Sequence, residues 1–296
     1  IEKPDMILVH GDTTTTFAGA LAAFYKQIKV GHVEAGLRTF NKYFPFPEEM
    51  NRKLTGSLAD LHFAPTKGSK NNLLREGVNE NDIYITGNTV IDAMQHTVDE
   101  DYIFENDELN KIDFENKKII MITAHRRENW GEGIENICEA LNRIVEENKD
   151  VELVYLVHLN PVVKDVVFEK LGNKERVHLL SPLDTKETHN LMNRSFMVMT
   201  DSGGLQEEAP HLGKPVLVLR DVTERPEAVE AGTVKLVGTD VAKIVEEANE
   251  LINNIDAYNK MSKSINPYGD GLASKRIVNA ILKYYGLSDN EIEEFI

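Results

Sequence analysis

Short apolar runs of strand length alternate with longer stretches in which apolar residues recur every three or four positions, from one end of the chain to the other. That alternation predicts parallel sheets wrapped by helices on both faces, an α/β class. Strands are expected at residues 6–9, 28–33, 61–64 and 83–86, with helices over 14–25, 48–59 and 67–76. An acidic, weakly apolar stretch at 99–116 has the composition of a linker or a surface excursion, and a second series begins after it. Its strands are expected at 118–123, 152–157, 176–180, 197–200, 216–219 and 235–237, with helices near 134–147, 161–171 and 241–253. These strands suffice for a full nucleotide-binding sheet. The first series is shorter: no strand–helix unit with a glycine-rich turn precedes Asp5-Met6-Ile7-Leu8-Val9, so its sheet is expected to lack its beginning. No repeat at a solenoid period and no low-complexity tract is visible. Two unequal Rossmann-like halves with a ligand bound between them is the economical architecture.

Composition narrows the partners. A chain of 296 residues, 41% apolar and 28% charged, has the size and balance for two folded cores. Its 49 acidic against 33 basic residues give a net charge of −16, a poor match for nucleic acid. No apolar run reaches the roughly 18–20 residues that cross a bilayer, so no membrane association is expected. The single cysteine, Cys138, has no partner for an internal disulfide, and both features favour a reducing cytoplasm. The nine histidines and one cysteine show no metal-ligand spacing, and no metal is expected.

Ligands of open parallel sheets sit beyond the carboxyl ends of strands, which singles out the polar residues that follow apolar runs. His10-Gly11-Asp12-Thr13 leads into a helix whose amino end suits an anion, although Asp12 or Thr13 could equally be a simple N-cap. Glu34 directly follows a strand beside Gly36 and Arg38, and could form a surface ion pair with Arg38 instead of meeting a ligand. Glu48 and Glu49 open a helix after Pro45-Phe46-Pro47, where acids also stabilise the helix dipole without any catalytic duty. His125-Arg126-Arg127 at a strand end in so acidic a chain reads as an anion site for phosphate, with a solvated charge cluster as the alternative. His158 falls at the next strand end, where a lone histidine is more often structural. Ser202-Gly203-Gly204 exposes backbone amides at a helix start, as diphosphate binding requires, and Glu208 one turn on can accept from both ribose hydroxyls. Arg225 follows the next strand, back at the ligand edge.

Taken together, His10-Gly11-Asp12-Thr13, His32-Val33-Glu34-Ala35-Gly36-Leu37-Arg38, Pro47-Glu48-Glu49-Met50-Asn51-Arg52, Thr86-Gly87-Asn88-Thr89, His125-Arg126-Arg127-Glu128, Asp201-Ser202-Gly203-Gly204, Glu224-Arg225-Pro226-Glu227 and Asn266-Pro267-Tyr268-Gly269-Asp270-Gly271 resemble the non-hydrolysing UDP-N-acetylglucosamine 2-epimerases over essentially the whole chain. The resemblance implies the GT-B fold, with a first Rossmann-like domain over 1–86, a UDP-binding domain over 87–272 and a terminal helix in 273–296 that returns to the first domain. It implies a peripheral acidic tail from Leu287, and a first-domain strand with a Gly-Thr-Arg-Pro-Glu turn upstream of this sequence. Asp12, Glu34 and Glu48 match the family's acidic catalytic trio and His125 a catalytic histidine. Ser202, Gly203, Gly204, Glu208 and Arg225 match the UDP cradle, and Glu48, Arg126 and His158 a second, regulatory substrate site. Thr188 stands near a position where relatives tend to place an aromatic residue against the uracil. The implied reaction interconverts UDP-GlcNAc and UDP-ManNAc, needs no cofactor, and belongs to a cytoplasmic homodimer. A GT-B glycosyltransferase, a hydrolysing relative and a silent UDP-sugar sensor share the fold and the cradle. The acidic trio favours the epimerase.

Overall fold

The computed structural model describes residues 2–295. The first series of elements is β1 (Met6–His10), α1 (Thr14–Tyr25), β2 (Lys29–Val33), α2 (Glu48–Leu58), β3 (Leu61–Ala64), α3 (Lys67–Arg75), β4 (Ile83–Ile85) and α4 (Thr89–Thr97). The second begins with β5 (Lys118–Thr123), α5 (Glu132–Glu147), β6 (Val151–Leu156), α6 (Pro161–Leu171), β7 (Val177–Leu180) and α7 (Thr185–Arg194). It continues through β8 (Met197–Thr200), α8 (Leu205–His211), β9 (Val216–Val218), α9 (Pro226–Ala231), β10 (Val234–Leu236), α10 (Val241–Asn253), α11 (Ile255–Ser262) and α12 (Ala273–Tyr284). The expected strands are present to within a residue or two at each end, the ordinary uncertainty of element boundaries.

Two compact units result, one running to Gln95 and resuming at Pro267, the other spanning His96–Asn266. The resemblance implies boundaries at Gly87 and after 272, whereas the contacts divide the chain at Gln95 and Pro267. The reason lies in hydrogen bonds that tie α4 to the segment before α12. Asn88 N–H donates to the Tyr268 carbonyl at 2.6 Å, and the Asp92 carboxylate accepts from the amides of Ala273 and Ser274 at the start of α12.

In the first unit the sheet is parallel in the order β1-β2-β3-β4. Side chains alternate across it: Val9 and Val30 pack on Ala20 and Ala23 of α1, while Val33, Leu61 and Phe63 face Ile277 and Ala280 of α12 on the other side. The tail after α12, expected to be peripheral, returns instead to β4. Phe295 N–H donates to the Ile85 carbonyl at 2.9 Å, the Ile85 amide donates to the Glu294 carboxylate, and Ile292 joins the α12 core. An edge strand otherwise leaves such backbone groups unpaired, which is what draws in an acidic segment carrying Ile292 and Phe295.

The second unit holds a parallel six-stranded sheet in the order β10-β9-β8-β5-β6-β7. The winding reverses between β5 and β8, the topological switch point of a doubly wound fold. Ile137, Leu141 and Ile144 of α5 pack with Ile244, Ala248 and Leu251 of α10 over the central strands. Together the two parallel sheets make the GT-B class. The stretch 99–116 is a surface excursion strapped to α7, not a loose linker. Asn190 accepts from the Asp99 amide and donates to the Thr97 carbonyl, Arg194 donates to the carbonyls of Glu100 and Tyr102, and Glu187 accepts from the Asn106 amide. Phe104 is buried beneath the Arg194 guanidinium.

Candidate active site

In the first unit the turn after β1 collects most of the chemistry. Gly11 has φ +70°, which carries the chain from the strand into the approach to α1. Thr13 provides the N-cap, its hydroxyl accepting from the Thr16 amide at 3.3 Å, so Asp12 is not consumed by capping. The Asp12 carboxylate receives Arg52 Nη2 at 2.5 Å, and its carbonyl receives Asn51 Nδ2 at 2.9 Å. Arg52 is 3% exposed and stands one helical turn from Glu49, whose Oε2 it meets at 3.5 Å. Glu49 also accepts from the amides of Thr39 and Phe40, which fixes the loop before α2.

Glu34, immediately after β2, has φ +62°, a left-handed conformation that costs a non-glycine residue on the order of 1 kcal/mol. The turn aims its carboxylate at His10, with Oε2 3.1 Å from Nε2. Its neighbour Gly36, at φ +90°, is obligatory because a Cβ there would lie 2.3 Å from the Ser69 carbonyl oxygen. Arg38 is engaged by Glu76 through Nε and Nη2 at 3.0 and 2.8 Å. Behind the turn, buried His32 donates Nε2–H to the Gly11 carbonyl at 2.8 Å. Burial lowers the pKa of His32 to about 4, and that of His62 on β3 to about 4 as well. Glu48 is the first residue of α2, and its buried Oε2 has no hydrogen-bond partner. Asp12 and Glu34 are thus anchored to one turn, and Glu48 opens the helix that Arg52 and Asn51 bind to it.

In the second unit the site lies at the switch point. Thr123 and Thr200, the last residues of β5 and β8, share a hydrogen bond at 2.6 Å. Asp201 is fully buried and its Oδ2 accepts from the amides of His125 and Arg126 and from Asn129 Nδ2, at 2.8, 2.8 and 2.9 Å. One carboxylate therefore staples the loop after β5 to the loop after β8. The His125 ring stacks on His158 with centroids 5.2 Å apart, and burial lowers its pKa, opposed by the Asp201 carboxylate. Arg126 follows, its buried Nε without a partner. A cavity of about 200 Å³ opens here, walled by Thr123, His125, His158, Ser202, Thr188 and the apolar Leu156, Pro182, Leu183 and Leu205.

Gly203 and Gly204 lead into α8 and are small for a packing reason. A Cβ on Gly203 would lie 2.3 Å from Arg225 Nη1, and one on Gly204 would lie 2.9 Å from Glu208 Oε1. Arg225, 4% exposed, is bonded through Nε to Glu207 at 2.5 Å and through Nη1 to Glu224 at 2.7 Å, and Glu224 also receives Arg220. Glu208 faces His189 of α7 at 3.3 Å.

Arg52 and Asp201 lie inside the motifs, yet their partners become visible only in the structure. The i, i+3 spacing of Glu49 and Arg52 was a usable signal. Nothing in the sequence distinguishes Asp201 from an ordinary strand-end acid. Among the described residues no cluster of histidine, cysteine, aspartate or glutamate could hold a metal ion, and no helix is long and apolar enough to cross a membrane.

Residues 1–282 match the family model described as UDP-N-acetylglucosamine 2-epimerase. A protein of Clostridium acetobutylicum is 76% identical over 294 residues, an alignment covering 99% of this chain and 76% of that protein. Among solved structures, S. aureus MnaA with UDP superposes with a TM-score of 0.95 at 53% identity, covering 99% of this chain and 79% of that one. The UDP-GlcNAc 2-epimerase of Neisseria meningitidis, bound to UDP-GlcNAc, gives 0.90 at 51% identity over 95% of this chain and 76% of that one. By the extent and level of these matches, the chain belongs to the UDP-N-acetylglucosamine 2-epimerase family and is an isomerase.

Proposed function

We propose that this protein interconverts UDP-GlcNAc and UDP-ManNAc by eliminating UDP and adding it back. The observation that carries the reading is a set of first-unit carboxylates: Asp12 held by Arg52, Glu34 facing His10, and Glu48, first residue of the helix that carries Arg52, with a buried, unpartnered oxygen. The C2 proton of the sugar is too weakly acidic for a carboxylate to remove without help. Loss of UDP supplies it: a base takes the C2 proton, the C1–oxygen bond breaks, and UDP departs with the bonding pair, leaving 2-acetamidoglucal. Protonation of C2 from the opposite face and return of the UDP oxygen to C1 gives the epimer. Acids and bases are needed on both faces, and Asp12, Glu34 and Glu48 supply them.

His125 stabilises the departing diphosphate, while Ser202, Gly203, Gly204, Glu208 and Arg225 cradle UDP and keep it for return. The apolar wall at Pro182, Leu183 and Leu205 suits a uracil ring, with Thr188 beside it. Support for this ligand comes from relatives solved with UDP and with UDP-GlcNAc. We assign Arg126 and His158 to a regulatory substrate site, with the unpartnered Arg126 Nε suited to an anion. The enzyme acts as a cytoplasmic homodimer without cofactor or nucleic acid, and its product feeds surface polysaccharide synthesis.

The test is proton NMR of UDP-GlcNAc in heavy water without any acceptor. Deuterium at C2 with growing manno signals is expected. An unchanged C2 proton would return the assignment to a transferase or a sensor, and free sugar with UDP would indicate a hydrolase.

A further inference from the structure

One buried histidine has contacts that the reaction above does not use. His189 lies on α7, 3% exposed, directly after Thr188, which walls the switch-point cavity. Its Nδ1 is 2.6 Å from the Thr97 hydroxyl, and its Nε2 is 3.3 Å from Glu208 Oε2. With Thr97 donating to Nδ1, the imidazole carries its hydrogen on Nε2, the ring nitrogen that lies 3.3 Å from the carboxylate. Thr97 is itself fixed, because its carbonyl accepts from Asn190, the next residue of α7. The other Glu208 oxygen, Oε1, lies close over Gly204, where even a Cβ would come within 2.9 Å.

We propose that His189 is a positioning residue for nucleoside recognition. It holds the Glu208 carboxylate in the orientation that accepts the ribose hydroxyls of UDP, and Thr97 holds His189. This rests on the reading of Glu208 as the ribose acceptor. The physical case is one of rotamer selection. A glutamate has three rotatable bonds, and ordering it only on ligand binding costs affinity that a preset partner removes. Glu208 is the second carboxylate of Glu207-Glu208, and the two are held by different partners, Glu207 by Arg225 and Glu208 by His189. A His189 link to Glu208 therefore acts on ribose recognition without passing through the arginine network.

Calorimetry with UDP and with its 2′-deoxyribose counterpart, dUDP, separates positioning from general support. Because a hydrogen bond to a charged group is worth about 1.5–3 kcal/mol, the intact protein is expected to prefer UDP over dUDP by at least about tenfold. His189→Leu is expected to weaken UDP about tenfold while moving dUDP less than about twofold, so that the preference collapses. His189→Gln, which keeps a donor, should restore most of it. Thr97→Val should lower the UDP preference about threefold, an effect that survives even if the leucine variant does not fold. Glu208→Gln should remove the preference, and adding His189→Leu to it should change nothing further. Equal weakening of both nucleotides by His189→Leu, or an unchanged preference in Thr97→Val, would overturn the proposal while leaving Glu208 as ribose acceptor. An intact preference in Glu208→Gln would overturn the ribose assignment itself, and the His189 proposal with it.

Discussion

The two units organise the polar groups at their strand ends differently. In the first, side-chain charges hold side-chain charges: Arg52 grips Asp12, His10 faces Glu34, and Glu48 keeps an oxygen buried without a partner. The second adds a backbone staple to a buried network in which Arg225 meets Glu207 and Glu224. Asp201 takes two main-chain amides and Asn129, Thr123 joins Thr200, and two glycines leave room for Arg225 and Glu208. Reactive carboxylates need defined electrostatic neighbours, whereas a binding loop needs a fixed backbone and an apolar wall. The difference suits proton chemistry in the first unit and nucleotide retention in the second.

Removing a carboxylate proposed to react is the severest way to break that division. Glu48→Gln is expected to cut C2 exchange about a thousandfold, the range of a lost general acid or base, with UDP affinity changed less than about twofold. NMR exchange and calorimetry check the pair of outcomes, and epimerisation at the parent rate would remove Glu48 from catalysis. The matching change in the second unit is Asp201→Ala. It leaves two amides and an amide side chain without their acceptor and is expected to cost about 3 kcal/mol of stability and to weaken UDP at least tenfold. Denaturant unfolding and calorimetry measure both, and unaltered UDP binding would disconnect the staple from the nucleotide site.

Acid probes the core of the first unit. Burial lowers the pKa values of His32 and His62 in the first unit from 6.5 to about 4. Between those values the unfolded chain binds more protons than the folded one. The stability is fully present above about pH 6.5 and is lost as pH falls towards 4. Lowering the pH from 7 to 5 should cost about 2 kcal/mol per histidine. Denaturation at the two pH values tests this, and His62→Gln should halve the slope contributed by the pair. The smallest expected effect sharpens the binding half. Thr188→Phe adds a ring at the cavity wall and should tighten UDP about fivefold by stacking on the base. Calorimetry showing no gain would move the uracil away from Pro182, Leu183 and Thr188.

Much of this contrast was legible in the sequence because strand ends in a parallel fold are marked by where apolar runs stop. Asp12, Glu34, His125 and Ser202 all follow such runs and all lie at strand ends. Less legible was what each side chain is bonded to. α7 escaped because three of its five buried residues are Glu187, His189 and Asn190, so its inward face does not read as apolar. The polar face is explained by the strap at 97–114, whose backbone needs those donors and acceptors. The acidic tail read as peripheral because charge is ordinarily solvated, whereas Glu294 here accepts a strand amide. Long-range partners such as Arg52 for Asp12, 40 positions apart, carry no local signal.

Departure of UDP during the reaction is the central chemical claim, and an isotope in the bond that breaks tests it most directly. UDP-GlcNAc would carry oxygen-18 in the bridge between C1 and the β-phosphorus, and its position would be followed by phosphorus NMR over many turnovers. Elimination and return predict that the label spreads into the non-bridging β-phosphate positions as the manno epimer accumulates. Accumulation of that epimer with the label still wholly in the bridge, and with no 2-acetamidoglucal or free UDP appearing on prolonged incubation, would contradict the account.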